Sequence, residues 1–153
     1  MFNKYFSVKI LLALLIVTVL FTRCDDRKKY VIYYKDMQNF SQLRLENDST
    51  VLVFSGNFTA TTDTLYLPKG KYSLRFRAKG TIAAGGLPNL AIEFGKYRFK
   101  NFSIKEGLDD YKVNFELFED TSATIALSFT NDFSSATEDR NIFFYFPLIV
   151  SPY

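Results

Sequence analysis

Histidine and tryptophan are both absent from the 153 residues, and cysteine occurs once. Without histidine the chain lacks the usual general base at neutral pH and the commonest transition-metal ligand. A single thiol can neither form an internal disulfide nor complete a thiolate metal site. Glycine and proline are sparse, at seven and four residues, and act as isolated punctuation between apolar segments with no low-complexity linker or internal repeat. The formal charge of +3 includes basic residues near the N-terminus, so the remainder is close to neutral. No basic face is interleaved with aromatics, which excludes a nucleic-acid groove. Phe and Tyr are abundant, at 17 and 10 residues, and supply the whole 18% aromatic content.

The N-terminus has the form of an export signal. Lys4 and Lys9 precede the apolar run from Ile10 to Thr22, which is shorter than the ~20 residues a membrane-spanning helix needs. Cys24 follows directly, where bacterial lipoproteins are cleaved and acylated, and several acyl chains hold a protein durably on a membrane at ~0.8 kcal/mol per buried methylene. Arg23 stands where that processing site carries a small residue. The alternative, an uncleaved signal anchor, places Arg23, Arg27, Lys28 and Lys29 on the exported side against the positive-inside bias. Both readings predict an exported, membrane-anchored chain at the outer membrane or cell surface. Asp25 to Lys29 resembles the short tether after the acylated cysteine in surface lipoproteins of the Bacteroidetes group. The expected organisation is a signal over 1–23, a charged tether over 24–29 and one domain over 30–153.

From Tyr30 onward the sequence predicts strand after strand. In Lys71 to Lys79, Tyr72, Leu74, Phe76 and Ala78 alternate with Lys71, Ser73, Arg75, Arg77 and Lys79, so one face is buried and the other wet. The same period of two runs through Tyr111, Val113, Phe115 and Leu117, and through Ala123, Ile125, Leu127 and Phe129. Leu90 to Phe94 and Tyr97 to Ile104 read as strands joined at Gly95 and Lys96. Leu43 and Leu45, then Val51 and Val53, suggest strands that open the domain. Ile142 to Val150 is apolar on both faces apart from Tyr145 and Pro147, and the proline disfavours a central position. Eight to ten short strands at this spacing predict an all-β fold: a two-sheet antiparallel β-sandwich or jelly roll.

Acidic oxygens converge in one loop near the C-terminus. Phe129, Thr130, Asn131 and Asp132 lead into it, and Glu138, Asp139, Arg140 and Asn141 run from it into the last strand. Such a loop suits a hard cation, since calcium takes about six to eight oxygen ligands. Several pieces occur together in order and spacing: Leu74 to Gly80, the Gly85, Gly86 and Pro88 loop, Leu90 to Gly95, Asp110 with Tyr111, and the two acidic blocks. This pattern resembles the calcium-dependent xylan-binding carbohydrate-binding modules.

That resemblance implies a small noncatalytic β-sandwich that binds polysaccharide, xylan-like or otherwise bearing vicinal diols, through a calcium ion that the sugar hydroxyls ligate. It implies Asp132 and Asp139 as carboxylate ligands, with Glu138 as a substitute. Carbonyls of the Gly85 to Leu87 loop, including Gly86, would lie nearby with Asn131, Arg140 would brace the acidic loop, and Asn141 would close it. Two features depart from the family pattern: no tryptophan stands beside the loop, which holds only Phe133, and the strand before Gly95 ends in Glu93 and Phe94.

Without the resemblance, the loop reads as a solvated connection whose exposed ion pairs contribute little. The stripe Lys71, Arg75, Arg77 and Lys79 reads as a wet sheet face or edge protection, with contact to an anionic glycan as the sharper alternative. The other functional readings are a structural or adhesive envelope lipoprotein with a degenerate site, and an enzyme. Against the enzyme, Glu93 and Glu116 form no motif for a pair of catalytic carboxylates. The expected partners are polysaccharide, a membrane and a glycoside hydrolase, with no nucleic acid.

Overall fold

A computed structural model describes residues 28–40 and 42–153. The expected signal, Cys24 and all of the tether except Lys28 and Lys29 lie outside the described residues. In chain order the elements are β1 (Tyr30–Ile32), a 3-10 turn (Tyr34–Asp36), β2 (Met37–Gln38), β3 (Leu43–Glu46), β4 (Ser49–Phe54), β5 (Phe58–Thr62), β6 (Leu65–Leu67), β7 (Gly70–Gly80), β8 (Asn89–Phe94), β9 (Tyr97–Arg98), β10 (Phe102–Ser103), β11 (Asp109–Leu117), β12 (Thr121–Ala123), β13 (Ile125–Phe129) and β14 (Ile142–Pro152).

Two six-stranded antiparallel sheets form a sandwich. One runs β11-β7-β14-β4-β3, with β1 also paired to β14; the other runs β10-β8-β13-β5-β2, with β9 paired to β8. The period of two in β7 explains the layering. Tyr72, Leu74, Phe76 and Ala78 point inward and are almost wholly buried, and they meet Leu90, Ile92, Phe94, Leu127 and Phe129 from the opposite sheet in one core. Phe76 lies at the centre. Its ring stacks on Tyr111 at 5.1 Å and on Phe144 at 5.2 Å, and meets Phe102 of the facing sheet edge-on at 5.2 Å. Each such ring removed from water contributes about 1.5–3 kcal/mol, and the aromatic geometry adds to it.

Several strands differ from the sequence expectation for physical reasons. β14 is an inner strand despite Pro147. Its pairing with β7 holds from Ile142 to Tyr145, lapses, and resumes at Ile149, so the proline sits in a bulge where no ladder bond is lost. The segment from Tyr97 to Ile104 is not one strand: β9 and β10 each pair separately with β8. Ala123 belongs to β12, which pairs with β6 in a separate two-stranded sheet. In β4 both faces are buried. Leu52 and Phe54 enter the main core, while Val51 and Val53 pack with Tyr145 and Phe143 on the outside of the sheet. Leu43 and Leu45 of β3 are exposed, since that edge strand reaches past the core.

One end of the sandwich positions the candidate site. Gly80, Ile142 and Phe54 share one register row where β7, β14 and β4 meet it, and Phe129 of β13 pairs there with Leu90 and Phe58. The loops 81–88 and 130–141 therefore leave the sandwich together. Gly80 is required for this close approach: a Cβ on it would lie 2.4 Å from Cγ of Pro88.

Candidate functional site

Residues 130–141 fold back on themselves as a short ribbon. Ser134 bridges Asp139, the Arg140 N–H donates to the Phe133 carbonyl at 2.8 Å, and the Ser135 N–H donates to the Glu138 carbonyl at 2.8 Å. The Ser135 hydroxyl oxygen closes the tip by accepting from the Glu138 N–H at 3.0 Å. In such an antiparallel pair alternate residues face opposite sides. Phe133, Glu138 and Arg140 therefore share one face, and Asp132, Ser134, Asp139 and Asn141 share the other.

The first face clamps the glycine loop. Arg140 is only 9% exposed, and its guanidinium donates to the carbonyls of Gly86 at 3.1 Å, of Asn131 at 2.6 Å and of Ala83. Among the described residues no carboxylate pairs with it, so carbonyl dipoles alone replace the water it has lost. Its charge also lies over the Phe133 ring, 5.8 Å from the centroid. Glu138 Oε2 accepts the Ala84 N–H at 2.8 Å. Asn131 fastens the loop's far side, donating to the Leu87 carbonyl at 2.9 Å and accepting the Asn89 N–H at 2.7 Å. Gly86 fits because a Cβ there would lie 2.9 Å from Arg140 Nη2, and Gly85 adopts φ +67° in the turn.

The second face holds the remaining acidic oxygens. Asp139 Oδ2 accepts from Asn141 Nδ2 at 2.8 Å. Thr81 ties this pair to the end of β7, donating its hydroxyl to the Asp139 carbonyl at 2.6 Å and accepting the Asn141 N–H at 2.8 Å. Continuing the ribbon register by one residue sets Asp132 across from Asn141, and the Asp132 N–H donates to Asn57 Oδ1 at 2.9 Å. Two oxygens here are buried without any donor: Asp132 Oδ1 and Asn141 Oδ1. A buried acceptor with no partner costs about 1–3 kcal/mol, so two on the same face of one ribbon mark a place where a cation or donor would be stabilised.

The structure thus divides the residues picked from the sequence. Asp132, Asp139 and Asn141 lie on one face of the ribbon. Glu138 lies on the opposite face of the ribbon from Asp139, where its Oε2 accepts the Ala84 N–H. Among the described residues no group of three or more acidic or sulfur- and imidazole-bearing side chains gathers to hold a metal. The Gly86 and Leu87 carbonyls already accept hydrogen bonds from Arg140 and Asn131, and the guanidinium makes the glycine loop a poor place for a cation. Arg140 braces both segments, bonding the Asn131 carbonyl of the acidic loop as well as the Ala83 and Gly86 carbonyls of the glycine loop. Thr81 and Asn57 escaped the sequence reading; only their positions, just after β7 and in the turn before β5, could have signalled them. Tyr145 is only 5% exposed and offers no ring face for a sugar to stack on.

No protein-family model and no curated protein matches the chain. The fold is nevertheless that of carbohydrate-binding-module β-sandwiches. The structure is similar to the CBM36-1 domain of a multidomain xylanase from the hindgut metagenome of Trinervitermes trinervoides, with a TM-score of 0.62 and 13% identity over 82% of this chain and 98% of that one. It is also similar to a family 35 carbohydrate-binding module from Clostridium thermocellum, with a TM-score of 0.52 and 14% identity over 80% and 97% of the two chains. A third similar structure is the carbohydrate-binding module CBM6cm-2 from Cellvibrio mixtus lichenase 5A in complex with cellotriose, with a TM-score of 0.51 and 13% identity over 81% and 97%.

Proposed function

We propose that the chain is a noncatalytic module that binds polysaccharide at the 131–141 end of the sandwich, with calcium held between the protein and the sugar. The observation that carries this reading is the pair of buried, undonated oxygens on Asp132 and Asn141. Asp139 lies on the same face through its hydrogen bond to Asn141. Two carboxylates and an amide carbonyl are hard oxygen donors of the kind calcium takes, and too few to fill its six to eight positions. The remaining positions would fall to water or to two adjacent hydroxyls of a xylan-like glycan, which displace water as a chelating pair. Supporting the reading, one similar structure belongs to a xylanase and another holds cellotriose. The proposal includes export and anchoring through Cys24, which would place the module at the cell surface.

A thermal-shift titration of calcium against a chelator tests the metal, run on the wild type and on Asp139→Ala. A site filled to a hundredfold excess over its dissociation constant adds ~2.7 kcal/mol, so melting should rise with calcium in the wild type and much less in the variant. Retention on immobilised xylan should fall when the chelator is added. Melting and retention indifferent to calcium would leave a structural or adhesive envelope protein on the same fold.

A further inference from the structure

The basic stripe of β7 has no part in that reading, and its surroundings differ residue by residue. On the outer face of the first sheet, the register aligns Asp110, Arg77, Tyr145 and Val51 in one row. The cations of that row, and Lys79 in the Phe143 row beside it, are matched. Arg77 lies 3.9 Å from Asp110, and Glu46 pairs with both Lys79 and Arg44.

The next row is different. There Lys112, Arg75, Ile149 and Val31 align across β11, β7, β14 and β1. Lys112 and Arg75 stand directly opposite each other. No carboxylate pairs with either among the described residues, and Arg75 reaches only the Ser73 hydroxyl, at 3.4 Å. Like charges directly opposite across a sheet are destabilising. Edge protection accounts for a lysine on the edge strand β11 but not for an arginine one strand further in. The two cations line a groove of about 510 Å³ that Asp110 and Tyr111 complete. Continuing the row, Ile149 is half-buried and Val31 is 37% exposed, so an apolar strip adjoins the charges.

We propose that this row is a second binding site, for an acidic saccharide. Arg75 presents a planar fork suited to a carboxylate or sulfate, Lys112 adds a point charge beside it, and Ile149 with Val31 offers an apolar floor for the carbon–hydrogen face of the sugar ring. A polymer with both an anion and a ring face matches the whole row, whereas free phosphate would use only half. The site needs no metal and lies on the sheet face, away from the 131–141 ribbon, so it stands or falls separately from the calcium reading.

Affinity electrophoresis of the full chain, with a chelator present throughout, tests it on gels containing polygalacturonate, sulfated dextran or unsubstituted xylan, each compared with a polymer-free gel. Retardation by polygalacturonate identifies a uronate ligand and retardation by sulfated dextran a sulfate ligand; both support the site. The double variant Arg75→Ala/Lys112→Ala should bind at least tenfold more weakly. Lys35→Ala/Lys100→Ala, which removes equal charge elsewhere, should match the wild type. Arg75→Gln, which keeps volume and hydrogen bonding, should show the same direction of loss if the double variant melts early. The site is refuted if neither acidic polymer retards the protein, if loss of Arg75 changes nothing, or if the Lys35 and Lys100 control loses as much.

Discussion

Arg140 offers the sharpest test of how the ribbon and the glycine loop hold each other. Its guanidinium makes three hydrogen bonds to carbonyls that belong to two separate segments, Ala83 and Gly86 on one side and Asn131 on the other. Hydrogen bonds to a charged group contribute roughly 1.5–3 kcal/mol each, which sets a gross figure of about 4.5–9 kcal/mol. Holding a charge that is 9% exposed offsets several kcal/mol of this. Arg140→Ala also leaves carbonyls that water reaches only in part, so a net loss of about 3 kcal/mol is expected. In urea this appears as a lowered midpoint at unchanged slope, and in a thermal scan as a drop on the order of 10 °C for a domain of this size. Arg140→Lys keeps the charge but cannot span three acceptors, and should lose about 2 kcal/mol. Hydrogen exchange adds a local readout. The Gly86 N–H, now bonded to the Ala83 carbonyl, should lose protection ahead of β7. A loss under about 1 kcal/mol for Arg140→Ala, with loop protection intact, would refute this account.

Phe76→Ala removes the ring that joins Tyr111, Phe144 and Phe102, and should cost about 3–5 kcal/mol, read from denaturant midpoints; a cost near 1 kcal/mol would mean that the core closes over the gap. Stability should also be flat from about pH 5 to 9, because the chain has no histidine and its shifted groups titrate outside that range. The carboxyls of Glu46, Asp109 and Glu119 are lowered chiefly by hydrogen bonds from Lys79, Lys105 and Lys96, and Asp120 by the Lys69 N–H. Their contribution is complete above the ordinary values of 4.5 and 3.8 and is lost as pH falls through the depressed ones. The same contacts raise Lys79, Lys96 and Lys105, whose contribution fades only as pH climbs past 10.5. Urea midpoints measured across the range check this, and a transition between pH 5 and 8 would contradict it.

The fold was legible where burial is one-sided. β7 alternates in sequence as it does in space, and the set Ile125, Leu127 and Phe129 proved to be the inward face of β13. It was illegible where tertiary contacts override the local pattern. Val51 and Val53 look like core positions and are buried, but on the outside of the sheet, beneath the Tyr145 and Phe143 side chains. Pro147 argued against an inner strand, and no local signal reveals the bulge that accommodates it. At the site, composition drew attention to residues 131–141, yet it could not separate Glu138 from Asp139. They are neighbours in sequence and face opposite ways because the ribbon pairs Ser134 with Asp139. A hairpin that short carries no hydrophobic alternation from which its pairing could be read.

The place of β14 also governs the order in which the molecule can be assembled. It is the strand that joins β7 with β11 on one side to β4 with β3 on the other, and it follows every other described strand in the chain. Until residues 142–152 are in place, the facing edges of β7 and β4 have no ladder partner. Closure then depends on contacts far apart along the chain, the kind that form slowly and leave apolar surface open to aggregation meanwhile. A sheet built this way cannot close until β14 is inserted between its two halves, so one strand decides whether the whole layer forms.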